Sequence, residues 1–280
     1  MLEVLTFLFP PFVACIMVLG ILGYLGIHVL KREIIFIDIT IAQIAAMGAA
    51  VATVFFHADS HDGGLMHRLT ALAFTTAAAA FFAYVAQRVQ RISQETVIGV
   101  SYAIAAAATL FIFATAAGGD VHMEEMLTGN VLWADWPGIM RCFLVYVLVG
   151  VFHFLFRRKF IDLSERYTKI EKKTSGIVLW DFLFYASMGV VITFSVETAG
   201  VLLTFSFLII PAAFSSLFAR SWAARLMTAW GLGTVVTIAG LAFSYRFDFS
   251  LGPSLAAILG IVLVVTAAVK HLIPATAVTE

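Results

Sequence analysis

Few residues in this chain combine a chemically active side chain with an apolar setting, so each one is informative. Asp38 lies one turn inside a hydrophobic run, and Gln43 follows five residues further along it. Glu95 opens another such run, two residues after Ser93. A carboxylate or an amide oxygen at that depth can meet a cation. Glu95 has a second reading, as an N-terminal charge that complements the positive end of a helix dipole. Between runs, His57, Asp59, His61, Asp62 and His67 crowd one polar stretch. Imidazole and carboxylate are ligand types for transition-metal dications. The H-x-D-x-H-D spacing matches no structural or catalytic zinc pattern. It reads as a plain polar loop or as a weak cation-collecting one, with His57 and His61 as its candidate ligands. A second polar stretch adds Asp120, His122, Glu124 and Glu125, and both stretches would attract cations. His153, alone in its run, reads as a hydrogen-bonded structural residue, Glu197 as a solvated turn charge and Arg141 as a snorkelling cation. Cys15 and Cys142 sit in distant apolar stretches and read as small core hydrophobes.

The elements that must hold these groups are set by composition. Apolar residues make up 62% of the 280 and charged ones 12%, against roughly 45–50% and 25% in soluble domains. One soluble core of this size could not hide so much apolar surface. The 17 basic and 17 acidic residues leave no basic field for nucleic acid. Hydrophobic runs fall at about 10–30, 34–56, 69–90, 95–117, 138–156, 177–195, 199–219, 226–245 and 251–269. Each is long enough to cross a bilayer as a helix, and no period-2 alternation supports a β-barrel. The expectation is an all-α, polytopic transmembrane helical bundle of eight to nine transmembrane helices, in a single transmembrane domain over residues 1–280. The count turns on Ser195 to Ala199, which join two runs with almost no loop. If one of those runs is short or re-entrant, eight full spans remain.

With the N-terminus extracytoplasmic, 14 of the 17 Lys and Arg residues fall inside, and only Arg68, Arg141 and Arg246 fall outside. The positive-inside rule therefore favours that orientation. Trp133 and Trp136 then mark the outer interface, Trp180 and Trp222 the inner one. The N-terminal stretch has no basic n-region and no small-residue cleavage site, so the first span itself is expected to direct insertion. Alanine-rich stripes on the second, third and fourth runs, such as Ala42, Ala45, Ala46 and Ala49, let helix backbones approach closely. No G-x-x-x-x-G-K-[ST] segment occurs, so nucleotide hydrolysis by a P-loop belongs to another polypeptide, if transport here is ATP-driven.

Pro211 lies about a dozen residues into the seventh run. Its ring removes a donor and the bond to the Phe207 carbonyl, and Ser206, Ser215 and Ser216 are at hand to re-satisfy freed groups. The expectation is a helix break at Pro211 and then a short interfacial helix capped by Ser221, with Arg220 and Arg225 at the cytoplasmic face. A surface helix of that kind is a handle for a separate motor.

Four segments carry a resemblance. ETAGVLLTFSFLIIPAAFSSLFARS resembles the most characteristic segment of the membrane subunits of manganese, zinc and iron ABC importers, which read V-G-x-L-L-L-x-x-x-L-L-I-x-P-A-A-x-A there. REIIFIDITIAQIAAMGAAVA, ETVIGVSYAIAAAATL and SYRFDFSLGPSLAAILG are similar to three further family segments, in order and spacing. The resemblance runs over roughly residues 10–270. It implies the permease subunit of an ATP-binding-cassette importer for zinc, manganese or iron in the bacterial plasma membrane. Such a subunit is not an enzyme and holds no cofactor. ATP is hydrolysed on partner ATPase chains, an extracytoplasmic solute-binding protein delivers the metal, and a second permease chain completes a homo- or heterodimer. Residues 211–225 would contact the ATPase through Pro211, Ser215, Ser216 and Arg220, and Asp38, Gln43 and Glu95 would approach the metal's path. One departure stands out. The family's second helix commonly carries Asp-x-x-x-His, and alignment places Ile39 and Gln43 at those positions. Asp38 is then displaced by one residue, about 100° around the helix.

Two other classes fit less well. An ion-coupled secondary transporter acting alone would place ionisable groups near mid-membrane and show inverted repeats, and neither is visible. A haem-binding electron carrier needs paired intramembrane histidines. His28 and His153 both lie toward the inner side, and nothing in the sequence pairs them.

Overall fold

The computed structural model describes residues 2–55, 64–88, 91–114, 129, 131–167 and 175–272. His57 and His61 lie outside the described residues, as do the other members of both polar stretches except His67. Among the described residues the chain forms nine α-helices, one 3-10 turn at Val131–Trp133 and no strand. The helices are α1 (Leu2–Arg32), α2 (Ile37–Phe55), α3 (Leu65–Arg88), α4 (Gln94–Ala114), α5 (Trp136–Leu155), α6 (Arg157–Arg166), α7 (Ser175–Phe218), α8 (Trp222–Phe247) and α9 (Leu251–Leu272).

Eight of these are long and apolar enough to cross a membrane. The apolar part of α7, Gly176–Phe218, has 43 residues, about 65 Å of helix, or twice the ~30 Å hydrocarbon core. It is interrupted at Gly200, where φ is 77° and ψ 165°, a conformation open to glycine and to almost no other residue. Both legs then return to the same part of α1. From the first leg, Asp181 meets Arg32 and the Phe184 ring meets His28. From the second, Leu208 and Ala212 crowd Gly26, where an added Cβ would overlap the Leu208 carbonyl. The chain therefore reverses at Gly200, and the runs expected at 177–195 and 199–219 are both present as separate crossings.

The break expected at Pro211 is not there. α7 continues through Pro211 to Phe218 with helical geometry. Pro211 is buried, its neighbour Ala212 packs with Leu208 on Gly26 of α1, and this packing holds the helix despite one lost hydrogen bond. The nearby serines do not reach the Phe207 carbonyl. Ser206, Ser215 and Ser216 bond instead to the carbonyls of Leu202, Ala212 and Ala213. Ser221 does cap a helix, accepting from the Ala224 amide at 3.3 Å, but that helix is the 26-residue α8, not a short interfacial one.

Helix ends show how connections are made so short. At the end of α1, Glu33 adopts φ 56°, the Glu33 amide donates to Leu30 and the Ile34 amide to Val29. That is a Schellman cap with the buried Ile34 as its apolar contact. Asp248 at φ 57° ends α8 in a related way, with the Phe249 amide on Ser244. α6 follows α5 after the single non-helical residue Phe156. Its Phe160, Leu163 and Ser164 are buried, while Arg157, Arg158 and Lys159 are exposed.

The two ends of the bundle are tied separately. At one end, the Arg32 end, α1 meets α7, the start of α2 meets the start of α4, and Lys270 of α9 reaches the Leu217 carbonyl. At the other, the Glu197 end, Arg68 of α3 grips Glu197 of α7. α1 and α2 are the most enclosed spans, 67% buried, and α4 and α9 the least, 17% buried.

Candidate functional site

The Arg32 end concentrates the buried polar chemistry. Arg32 is held in the last turn of α1, where cations complement the helix dipole, and it is 1% exposed. Its Nη1 lies 2.9 Å from Asp181 Oδ1, and its Nε donates to Ser164 Oγ at 2.9 Å. The guanidinium carbon stands 3.9 Å above the Phe184 ring, a cation–π contact. One turn back, His28 Nδ1 is 2.8 Å from the same Ser164 hydroxyl. Ser164 thus ties α6 to α1, and Asp181 ties α7 to α1.

α6 extends this tie in two directions. The Trp222 indole N–H donates to Glu165 at 2.7 Å, and the Trp222 ring packs on His28 at 4.6 Å. Just past α6, Tyr167 donates to Gln94 Oε1 at 2.7 Å, and Gln94 Nε2 donates to Tyr185 at 2.7 Å. Burial pushes the Tyr167 hydroxyl well above the usual tyrosine range, so it remains a neutral donor. The chain of contacts therefore leads from the start of α8, through α6, to the start of α4.

Beside Gln94 stands Glu95. Its Oε1 accepts from the Phe36 amide at 3.0 Å, at the entrance of α2, while Oε2 is buried without a partner. Two residues further, Asp38 is 1% exposed, and neither carboxylate oxygen has a hydrogen-bond partner among the described residues. An orphaned buried carboxylate carries a large desolvation cost unless a cation or proton joins it. The structure thus brings Asp38 and Glu95 to adjoining first turns of α2 and α4. Gln43 is 8% exposed and lies about 140° round α2 from Asp38 on a regular helix, so these three do not form one ligand cluster. Among the described residues no three His, Cys, Asp or Glu side chains converge on a metal-sized point. His67, from the first polar stretch, is 3.0 Å from Thr53 Oγ1 through its Nε2.

The candidate coupling segment divides by exposure. Pro211 and Ser215 are buried, whereas Ser216, Phe218 and Arg220 are exposed at the Arg32 end. The reachable face is thus the turn between α7 and α8.

Three outlying residues take definite roles. Glu197 is paired rather than merely solvated, because the Arg68 Nε lies 2.8 Å from Glu197 Oε2. His153 is hydrogen-bonded to Ser187 at 2.8 Å and stacked on Phe160 at 4.2 Å. The His28 and His153 rings lie 6.5 Å apart, a proximity made by α1 and α5 that no local pattern announces. Cys15 and Cys142 are buried and free. The Arg32–Asp181 pair escaped the sequence reading, though a signal existed. Asp181 is the only acid between Gly176 and Val196, one turn in from the side that also holds Arg32.

Comparison with known proteins agrees with this architecture. The chain is 26% identical over 250 residues to a probable metal transport system membrane protein of Thermotoga maritima, covering 89% of this chain and 84% of that one. It is 26% identical over 237 residues to the manganese transport system membrane protein MntC of Listeria innocua, covering 83% and 80%. Its fold superposes on a chain of PsaBC from Streptococcus pneumoniae, solved with a Fab, with a TM-score of 0.75 at 18% identity, covering 94% and 93%. The family model described as "ABC 3 transport family" matches residues 4–270. This multi-pass protein of the bacterial plasma membrane, a transporter subunit and not an enzyme, belongs to the ABC 3 transport family.

Proposed function

We propose that the chain is the permease subunit of an importer for a divalent transition metal, zinc, manganese or iron, driven by a separate ATPase. The observation that carries this reading is the family match over nearly the whole chain, reinforced by relatives named for metal and manganese transport. In this reading the Arg32 end faces the cytoplasm, as the distribution of Lys and Arg favours. A solute-binding protein delivers the metal at the Glu197 end, and a second permease chain completes the path. The ATPase binds the turn carrying Ser216, Phe218 and Arg220. Its motion reaches α6 through the Trp222–Glu165 bond and then α4 through Tyr167 and Gln94. The metal is the cargo, and Asp38 and Glu95 are the carboxylates closest in kind to what it needs, oxygen donors whose free valences are unfilled by protein. The absence of a pathway histidine at Gln43 favours an oxygen-coordinated or less tightly held cargo.

The ion-coupled secondary transporter is kept as a second reading because an orphaned buried carboxylate such as Asp38 is also a proton carrier. Both are tested by uptake of radiolabelled manganese, zinc and iron into proteoliposomes, with and without the ATPase partner. ATP-dependent accumulation only in its presence supports the importer. Accumulation by this chain alone under a proton or sodium gradient would install the second reading instead.

A further inference from the structure

At the Arg32 end, α1, α5 and α8 diverge and leave a groove of about 590 Å³, walled by Ile21, Val147, Gly150 and Leu226 among others. Its walls are almost wholly apolar, and the tryptophans Trp222 and Trp230 flank it. Gly20 and Gly150 face one another across open space, for an added Cβ at either would meet no atom within 4 Å. From Phe143 to Phe154 the lining on α5 extends about 16 Å, the depth of one leaflet of a ~30 Å hydrocarbon core. The outer face of α5 beside it is bare, with Leu148, Val151 and Phe154 between 52% and 71% exposed, so the groove opens toward lipid. Its mouth carries a charge signature. Arg157 lines the groove, and Arg158 and Lys159 follow it, all three exposed and without an ion-pair partner among the described residues.

We propose that this groove holds one acyl chain of an anionic phospholipid, whose phosphate is met by Arg157 at the mouth, with Arg158 and Lys159 adding to the positive field around it. An apolar slot of leaflet depth selects a hydrocarbon chain over a soluble ligand, and three adjacent cations at the interfacial end select a negative headgroup. A second protein helix would need partners of its own at that mouth, where the cations instead stand ready for phosphate. The lipid would fill the space between α5 and α8 beside α1 and brace these helices against one another. The inference is independent of what the subunit transports.

The test is native mass spectrometry of the full purified chain after exchange into mixed micelles of phosphatidylglycerol and phosphatidylcholine. The wild-type chain is expected to retain one phosphatidylglycerol. Each of Arg157→Gln, Arg158→Gln and Lys159→Gln lowers the preference over phosphatidylcholine roughly fivefold. Gly150→Leu, where an added Cβ meets no atom within 4 Å, puts a branched side chain into the slot and abolishes retention, while Gly260→Leu, a position on α9 with open space at its Cβ, retains lipid as wild type does. Equal retention of both lipids, or unchanged retention in Gly150→Leu, would overturn the proposal. So would disulfide crosslinking of Gly150→Cys to a second copy of the chain, since a protein would then occupy the groove. Because retention is read without transport, a chain that holds lipid and moves no metal would sink only the functional reading.

Discussion

Asp181 and Asp38 are both buried carboxylates near the Arg32 end, 0% and 1% exposed, and they are treated in opposite ways. Asp181 meets the Arg32 guanidinium at 2.9 Å, and Ser164, Phe184 and Tyr167 surround that cation in turn. Asp38 meets no donor among the described residues. Burial alone therefore does not say what a carboxylate does. A charge neutralised inside the fold holds helices together, whereas one left without a partner carries its desolvation cost until a proton or a cation joins it.

The largest expected effect comes from breaking the paired site. Asp181→Leu leaves Arg32 buried and uncompensated and should cost about 3–5 kcal/mol, read as a loss of folded protein and a fall in melting temperature in detergent. Adding Arg32→Met should restore most of that loss, since two apolar groups of similar size need no pairing. If the double variant is as unstable as the single one, the pair does more than neutralise itself.

The unpaired site should respond in the reverse sense. Asp38→Asn removes a desolvated charge, so the melting temperature should hold or rise, while metal uptake falls by at least about tenfold, the equivalent of one lost charged contact of ~1.4 kcal/mol. Uptake at the wild-type level in Asp38→Asn combined with Gln43→Leu would show that these residues are no part of the path.

Coupling should separate from both. Ser216→Trp adds bulk at an exposed turn, and its effect on stability should stay within about 0.5 kcal/mol. ATP hydrolysis measured with the partner ATPase should no longer track uptake. Crosslinks from the ATPase to α6 but never to residues 216–220 would move the contact elsewhere. The smallest effect is expected at the Glu197 end. Arg68→Gln breaks a partly exposed pair worth at most about 1 kcal/mol, and less at high salt.

Much of this was legible in the chain. The all-helical, multi-pass class and the capping role of Ser221 follow from hydropathy and capping patterns, which are local, as does the burial of both cysteines, whereas the choice between eight and nine crossings stayed open at Ser195 to Ala199. The break in α7 was misplaced for a local reason too. Pro211 carries the stronger helix-breaking signal, yet it is buried and the helix continues through it, with its neighbour Ala212 packed on Gly26, while Gly200 sits where Gly129 packs tightly on the neighbouring backbone. Glu197 read as a lone charge because its partner is 129 residues away.

What the sequence by itself determined is the class of molecule: a helical bundle whose solvent is lipid. Periodicity, length and composition act within single helices, so they suffice for that. Which buried charges are answered was decided only by tertiary structure. Arg32 and Asp181 are 149 positions apart, and whether a carboxylate finds a cation depends on which helix faces it. Packing brings Arg32 to Asp181, and among the described residues it brings no hydrogen-bond donor to Asp38.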